Sequence, residues 1–182
     1  MNLLESLLSL QALEFLPRTG WLQRGIAHPE SVAAHSYGVA VVALALAGRV
    51  EPELDKSRVL AMAIAHDVPE AWLGDLPKTA KRVLPEGSKA EAERRAAEEL
   101  LGPFSEEAGE AFAEYMTQQS REARFVKLCD RLQLGLRLLG YRKAGHSGLD
   151  DFEAGLRELD TGEFAPAEEL RGEIVAALEA LK

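Results

Sequence analysis

His35, His66, Asp67 and Asp130 are out of keeping with their surroundings. Each occupies a position where a long apolar helical pattern calls for a hydrophobic side chain. Two imidazoles and two carboxylates on core-facing positions are costly unless something neutralises them. A divalent cation does so and can take all four as ligands. Glu70, just past the His66-Asp67 pair, adds a carboxylate able to handle protons. These residue types point to metal-dependent hydrolysis.

Each has a plainer alternative. The same-face neighbours of His35 are Ser31, Val32, Gly38 and Val39, which suits a core histidine bonded to a carbonyl. Asp130 lies in the run FVKLCDRLQL and can pair with Lys127 or Arg131. Glu70 follows Pro69, as a first-turn glutamate would. Asp75, in the turn Gly74-Asp75-Leu76-Pro77, can cap a helix starting at Pro77, or it can hold or protonate a leaving hydroxyl. His66 and Asp67 are adjacent, so a straight helix cannot aim both at one place. A helix that breaks before Pro69 can. Cys129 reads as a small core residue.

Only His28 and His146 remain, one in a loop and one in a Gly-Ser turn. A two-metal site needs more ligands, so one cation with open positions is expected. Two nitrogens and two oxygens suit Mn, Co, Fe, Ni or Zn better than Mg. Candidate phosphate contacts are Lys78, Lys81, Arg18, Arg24, Arg121, Arg124 and Lys127, each with a solvated surface charge as its alternative. Trp21, flanked by glycines, either stacks on a base or sugar or anchors its loop in the core.

The elements that must position these groups are helical throughout. Helices are expected over 2–15, 31–49, 55–67, 79–84, 88–101, 105–118, 120–143, 149–160 and 166–182. Ser31 follows Pro29-Glu30 at one start, Asp55 and Ser120 are N-caps, and Ser88 with Glu91 has capping-box spacing. The stretch 18–30, rich in Gly, Pro and charge, reads as a loop. No strand alternation or repeat appears, so an all-α bundle in one domain, 1–182, is expected, with its metal-site core over about 18–145 and the helices of 149–182 packed on it. The 182 residues are 47% hydrophobic, 28% charged and 6% aromatic, which is globular and helix-favouring usage. A net charge of −9 argues against a nucleic-acid polymer as partner but leaves room for a small phosphorylated ligand. One cysteine excludes an intrachain disulfide and fits a cytoplasmic location. The start of the chain lacks a basic leader, and the apolar run 39–47 is too short to span a membrane.

In order, R-T-G-W (18–21), E-S-V-A-A-H-S (30–36), H-D-V-P-E (66–70), G-D-L-P-K (74–78) and E-A-R-F-V-K-L-C-D (122–130) resemble the HD-domain phosphohydrolase superfamily. The resemblance is to its 5'-deoxynucleotidase branch, which hydrolyses deoxynucleoside monophosphates, and it covers roughly residues 10–145. It implies an all-helical HD bundle in which His35, His66, Asp67 and Asp130 bind one divalent metal and Glu70 acts in catalysis. It places Asp75, Leu76, Pro77 and Lys78 against the nucleotide and its phosphate, and Trp21 near the sugar. In bacterial members with strict deoxyribose preference an arginine directly precedes that tryptophan. Here Gly20 does, and Arg18 stands two residues further back, which leaves sugar selectivity open. A homodimer is also implied, with the apolar first and last helices available for its interface.

The expectation is a cytoplasmic, single-metal phosphomonoesterase acting on nucleoside 5'-monophosphates, with Glu70 taking a proton from water and Asp75 assisting the leaving group. Two competing readings are hydrolysis of nucleoside triphosphates at the same site and a metal-dependent nucleotide-binding regulator without turnover.

Overall fold

Five helix starts are set by side chains that accept hydrogen bonds from otherwise unpaired backbone N–H groups, the first by Asn2 Oδ1, which accepts from Glu5. Ser31 Oγ accepts from Ala34, Asp55 Oδ1 from Ser57 and Arg58, Ser105 Oγ from Ala108, and Ser120 Oγ from Ala123. The computed structural model describes residues 1–182, the side chain of Lys81 excepted. Among the described residues it has helices α1 (Leu3–Leu10), α2 (Ala12–Phe15), α3 (Thr19–Leu22), α4 (Val32–Ala47), α5 (Lys56–Ala65) and α6 (Glu70–Leu73). These are followed by α7 (Lys78–Lys81), α8 (Ser88–Leu101), α9 (Glu106–Thr117), α10 (Arg121–Lys143), α11 (Asp150–Arg157) and α12 (Ala165–Glu179). The extended pairing is a single bridge between Pro17 and Ser31, which ties the ends of the first loop together.

The architecture is all-α, as expected. The longest helix, α10, forms the axis and packs against α4, α5, α9, α11 and α12. Its core face carries Phe125, Val126, Cys129, Leu132 and Leu138, all without solvent exposure. Truncating a residue such as Phe125 would cost about 3–5 kcal/mol. A smaller apolar cluster joins the end of α5 to α8 and α9 through Ala65, Val68, Leu100, Leu101 and Phe112.

Several local expectations are corrected. The helix expected over 2–15 is interrupted at Gln11, giving α1 and α2. The loop 18–30 contains the single turn α3, which brings Trp21 inward. The Ser88–Glu91 capping box does not form. Gly87 adopts φ 74°, a left-handed conformation open to glycine, and starts α8 without a side-chain cap. Ser88 Oγ instead donates to Pro85 O, and Glu91 pairs with Arg94 and Arg95. Pro77, not Asp75, occupies the N-cap of α7.

The break after α5 is as the sequence requires. His66 N–H closes the last turn on Met62 O, Val68 N–H bonds Ala65 O, and Pro69 leads into α6. That short turn lets consecutive residues face one centre.

Candidate metal centre and cavity

His35 comes from the second turn of α4, His66 and Asp67 from the corner after α5, and Asp130 from the middle of α10. The three stretches converge. His35 Nε2 lies 3.2 Å from Asp130 Oδ1 and 3.7 Å from Asp67 Oδ2, and His66 Nε2 lies 3.3 Å from Asp67 Oδ2. Ligand atoms of His35, His66 and Asp130 all lie within 4.8 Å of one another, and all three residues are buried.

The imidazoles are oriented from behind. His35 Nδ1 is 2.6 Å from Gln133 Oε1, and His66 Nδ1 is 2.9 Å from Ala63 O. Both acceptors are oxygens, so each Nδ1 carries a proton, and in the neutral ring each Nε2 presents a lone pair inward. Both Nε2 atoms are buried and have no hydrogen-bond partner. A lone pair in that state is costly, and a cation removes the cost. The 3.2 and 3.3 Å spacings match neighbouring ligands around one ion, which stand about 3.0–3.4 Å apart for bonds near 2.1 Å, and the 3.7 Å spacing is slightly wider. The donor set therefore fits a divalent metal, and His35, His66 and Asp130 form a candidate site for one.

The carboxylates are not equivalent. Asp130 turns Oδ1 to His35 Nε2 while its Oδ2 accepts from Lys127 Nζ at 2.9 Å. The ion pair and the ligand position are thus both present, on different oxygens. Burial works against the charge of Asp130, but Lys127 beside it holds the carboxyl well below the usual range. Burial likewise opposes ionisation of Asp67, and His66 and Arg18 override it and lower its pKa. Glu70 behaves in the opposite way. Burial, then the charges of Asp67 and Asp75, push its carboxyl up to about 9. Its Oε2 is buried and has no hydrogen-bond partner.

Arg18 joins these acids. Its Nη1 lies 3.1 Å from Asp67 Oδ2, 3.5 Å from Asp75 Oδ1 and 3.7 Å from Glu70 Oε2. Burial disfavours its charge, but the surrounding carboxylates raise its pKa further above the ordinary arginine value. Asp75 is pinned as well: Thr19 N–H donates to its Oδ2 at 2.5 Å, and Thr19 Oγ1 donates to its backbone oxygen at 2.7 Å.

Beside the centre lies a cavity of about 550 Å³. His66, Asp67, Glu70 and Asp130 reach it from one side, and Leu76, Pro77 and Lys78 line it from the turn before α7. Trp21 also lines it but is 1% exposed. Its indole stacks on Phe152 at 4.1 Å between centroids and donates Nε1–H to Glu30 Oε1 at 3.1 Å. The core-anchor alternative describes it, since Phe152 occupies a face that a base would need. Arg24 lines the cavity while paired with Asp151. Arg121 and Arg124 pair with Glu163 and do not line the cavity, so they are surface charges. His28 and His146 are exposed and lie outside the cavity lining. The side chain of Lys81 lies outside the described residues.

Residues 10–169 match the family described as HD domain. The chain belongs to the HD-domain family. This HD-domain chain is 33% identical over 157 residues to the human 5'-deoxynucleotidase HDDC2, covering 83% of this chain and 74% of the human protein. Its fold superposes on a conserved hypothetical protein of Pyrococcus furiosus with a TM-score of 0.83, at 34% identity and covering 94% of this chain and 98% of the other. A Pyrococcus horikoshii protein gives 0.82 at 33% identity, covering 98% and 99%.

Reading the HD-domain sequence alone missed Gln133 and Glu30 as partners behind His35, and Arg131 as a cavity-lining residue. Gln133 is 4% exposed and holds His35, and its signal was a polar residue one turn after Asp130 on an apolar face. Gly38 leaves room for Gln133: a Cβ there would meet Gln133 Cγ at 2.9 Å. Arg131 lines the cavity and has no ion pair among the described residues. Nothing in its local pattern distinguished it from any other surface arginine.

Proposed function

We propose that this chain is a divalent-metal-dependent phosphomonoesterase that removes the 5'-phosphate from nucleoside monophosphates, deoxynucleotides foremost. One observation carries the reading: two buried, unpartnered imidazole nitrogens face two carboxylates in the wall of a cavity large enough for a nucleotide. The 5'-deoxynucleotidase name of the human relative points the same way.

His35, His66, Asp67 and Asp130 would hold one cation, of Mn, Co, Fe, Ni, Zn or Mg. When bound, it stabilises charge on the phosphoryl group and makes water more acidic. Glu70, whose carboxylate form a bound dication would favour, takes the proton of the attacking water; its Oε2 is buried and has no hydrogen-bond partner. Arg18 holds Asp67 and Glu70 in place through Nη1. Attack is in line, and as the P–O bond breaks the departing 5'-oxygen, beside Asp75, takes up a proton from solvent. Lys78 offsets phosphate charge, Leu76 and Pro77 border the nucleoside, and Trp21 backs the wall. The chain thus works by positioning and electrostatics.

The test is release of inorganic phosphate from a panel of deoxy- and ribonucleoside monophosphates with Mn, Co, Mg and Zn. No release from any combination overturns the reading. Triphosphate hydrolysis is kept as a second reading because Lys78, Arg82 and Arg131 line the cavity without ion pairs among the described residues. Pyrophosphate or triphosphate as product would favour it.

No helix among the described residues is long and apolar enough to cross a membrane. We place the enzyme in the cytoplasm and infer a homodimer. The last helix is committed to α10 and α11, so the interface falls to α1, where Leu3, Leu4, Leu7 and Leu8 are exposed.

A further inference from the structure

Behind His35 runs a chain of buried hydrogen bonds that ends on Glu30. Gln133 Oε1 faces His35 Nδ1 at 2.6 Å, and Gln133 Nε2 donates to Glu30 Oε2 at 2.8 Å. Glu30 also accepts from Arg137 Nε at 2.8 Å and from Trp21 Nε1 at 3.1 Å. Its side chain is 1% exposed, and Gln133 is 4% exposed.

The polarity of this chain is forced at its far end. Arginine, indole and the amide nitrogen can only donate, so Glu30 acts purely as an acceptor. Were the Gln133 amide reversed, its oxygen would stand against Glu30 Oε2 with no proton between them. The carboxylate therefore fixes the amide nitrogen toward itself and the amide oxygen toward His35. That oxygen accepts only if Nδ1 carries the imidazole proton. In the neutral ring Nε2 is then the nitrogen left with a lone pair, and it is aimed toward Asp67 and Asp130. Gly38 makes the arrangement possible, because a side chain there would displace Gln133.

We propose that Glu30 and Gln133 are positioning residues that set the tautomer and aim of His35 for cation binding, Glu30 acting through the orientation of the Gln133 amide. This rests on the metal-centre reading of His35. Partners of this kind behind a metal-ligating histidine are worth about 10–100-fold in metal affinity.

The test exchanges the two functional groups. In Glu30→Gln the new amide offers N–H to position 133, releases the Gln133 amide to turn, and lets it donate to His35. The expected result is about 10–100-fold weaker Mn binding by calorimetry. Nitrogen NMR of the metal-free protein in alkaline buffer should show the His35 proton moving from Nδ1 to Nε2. The double variant Glu30→Gln/Gln133→Glu places the acceptor next to His35 again and should regain most of the affinity and the Nδ1–H form. A residue needed only for packing would not be rescued by this swap. Gln133→Met, of similar shape but without the amide, should bind Mn as weakly as Glu30→Gln and serves if the latter does not fold. Wild-type affinity together with an Nδ1–H His35 in Glu30→Gln, wild-type affinity in Gln133→Met, or a double variant no tighter than the single, overturns the proposal. Failure of the wild-type protein to bind any divalent cation would instead overturn the metal-centre reading, and the NMR measurement still decides the tautomer.

Discussion

Arg18 reaches across 49 residues of sequence to place Nη1 3.1 Å from Asp67 Oδ2. The contact joins the first loop to the metal corner and sets a fixed positive charge among Asp67, Glu70 and Asp75. Both partners are mostly buried, so the pair is screened less than a surface ion pair. In Arg18→Met the three acids lose their cation. Without metal the variant should be less stable by about 3 kcal/mol, within the range for breaking a buried pair. Saturating Mn should raise its melting temperature more than it raises that of the wild type, because the cation takes over the neutralising role. Equal metal-induced shifts in thermal unfolding would contradict this.

Glu70→Gln should lower kcat by about 100-fold or more while metal content stays at the wild-type level. Phosphate release and metal analysis on the same sample separate a proton-handling role from a ligand role. The regulator reading requires instead that turnover be absent in the wild type as well.

The raised pKa of Glu70 also gives a pH signature in the metal-free protein. An unfolded glutamate ionises near 4.5, whereas the folded one holds its proton up to about 9. Between these values the folded state binds more protons, so this group makes stability fall as pH rises. Glu70→Gln removes that dependence. The stability advantage of the variant should be near zero below pH 4.5, grow with pH and level off above about 9. A nearby dication favours the carboxylate, so saturating Mn should reduce the difference. Denaturant titrations across this range, with and without Mn, measure it.

Gly38→Ala puts a Cβ 2.9 Å from Gln133 Cγ and 3.0 Å from its Nε2. Gln133 is bonded at both ends, to His35 and to Glu30, and cannot swing aside freely. The substitution should cost about 1–3 kcal/mol of stability by overcrowding and weaken Mn binding as well. Loss of stability with unchanged affinity would show that Gln133 can shift without disturbing His35.

Leu4 and Leu8 stand one turn apart on α1 and are 66% and 56% exposed. Leu4→Glu/Leu8→Glu should convert a dimer into a folded monomer, seen by light scattering. A dimer that survives places the interface elsewhere, with Tyr37, Val41 and Leu44 along the exposed face of α4 as the next surface to test.

The candidate ligands, the glutamate beside them and the helical character were legible in the sequence because each is a local contradiction or a local pattern. A carboxylate amid FVKLCDRLQL, a His-Asp pair before a proline and serines ahead of apolar runs are visible without knowing what lies opposite. Partnership was not legible. Arg18 is one arginine among many until the loop folds against Asp67, and Trp21 could face a ligand or the core until Phe152 covers it. Gln133 and Glu30 are 103 positions apart, so no window of sequence holds both. Residue types and periodicity singled out the candidate groups, since these depend on side-chain identity and helical repeat. Only the packing of α4 and the first loop onto α10 decided how those groups are aimed, because hydrogen-bond direction and burial exist only once distant segments touch.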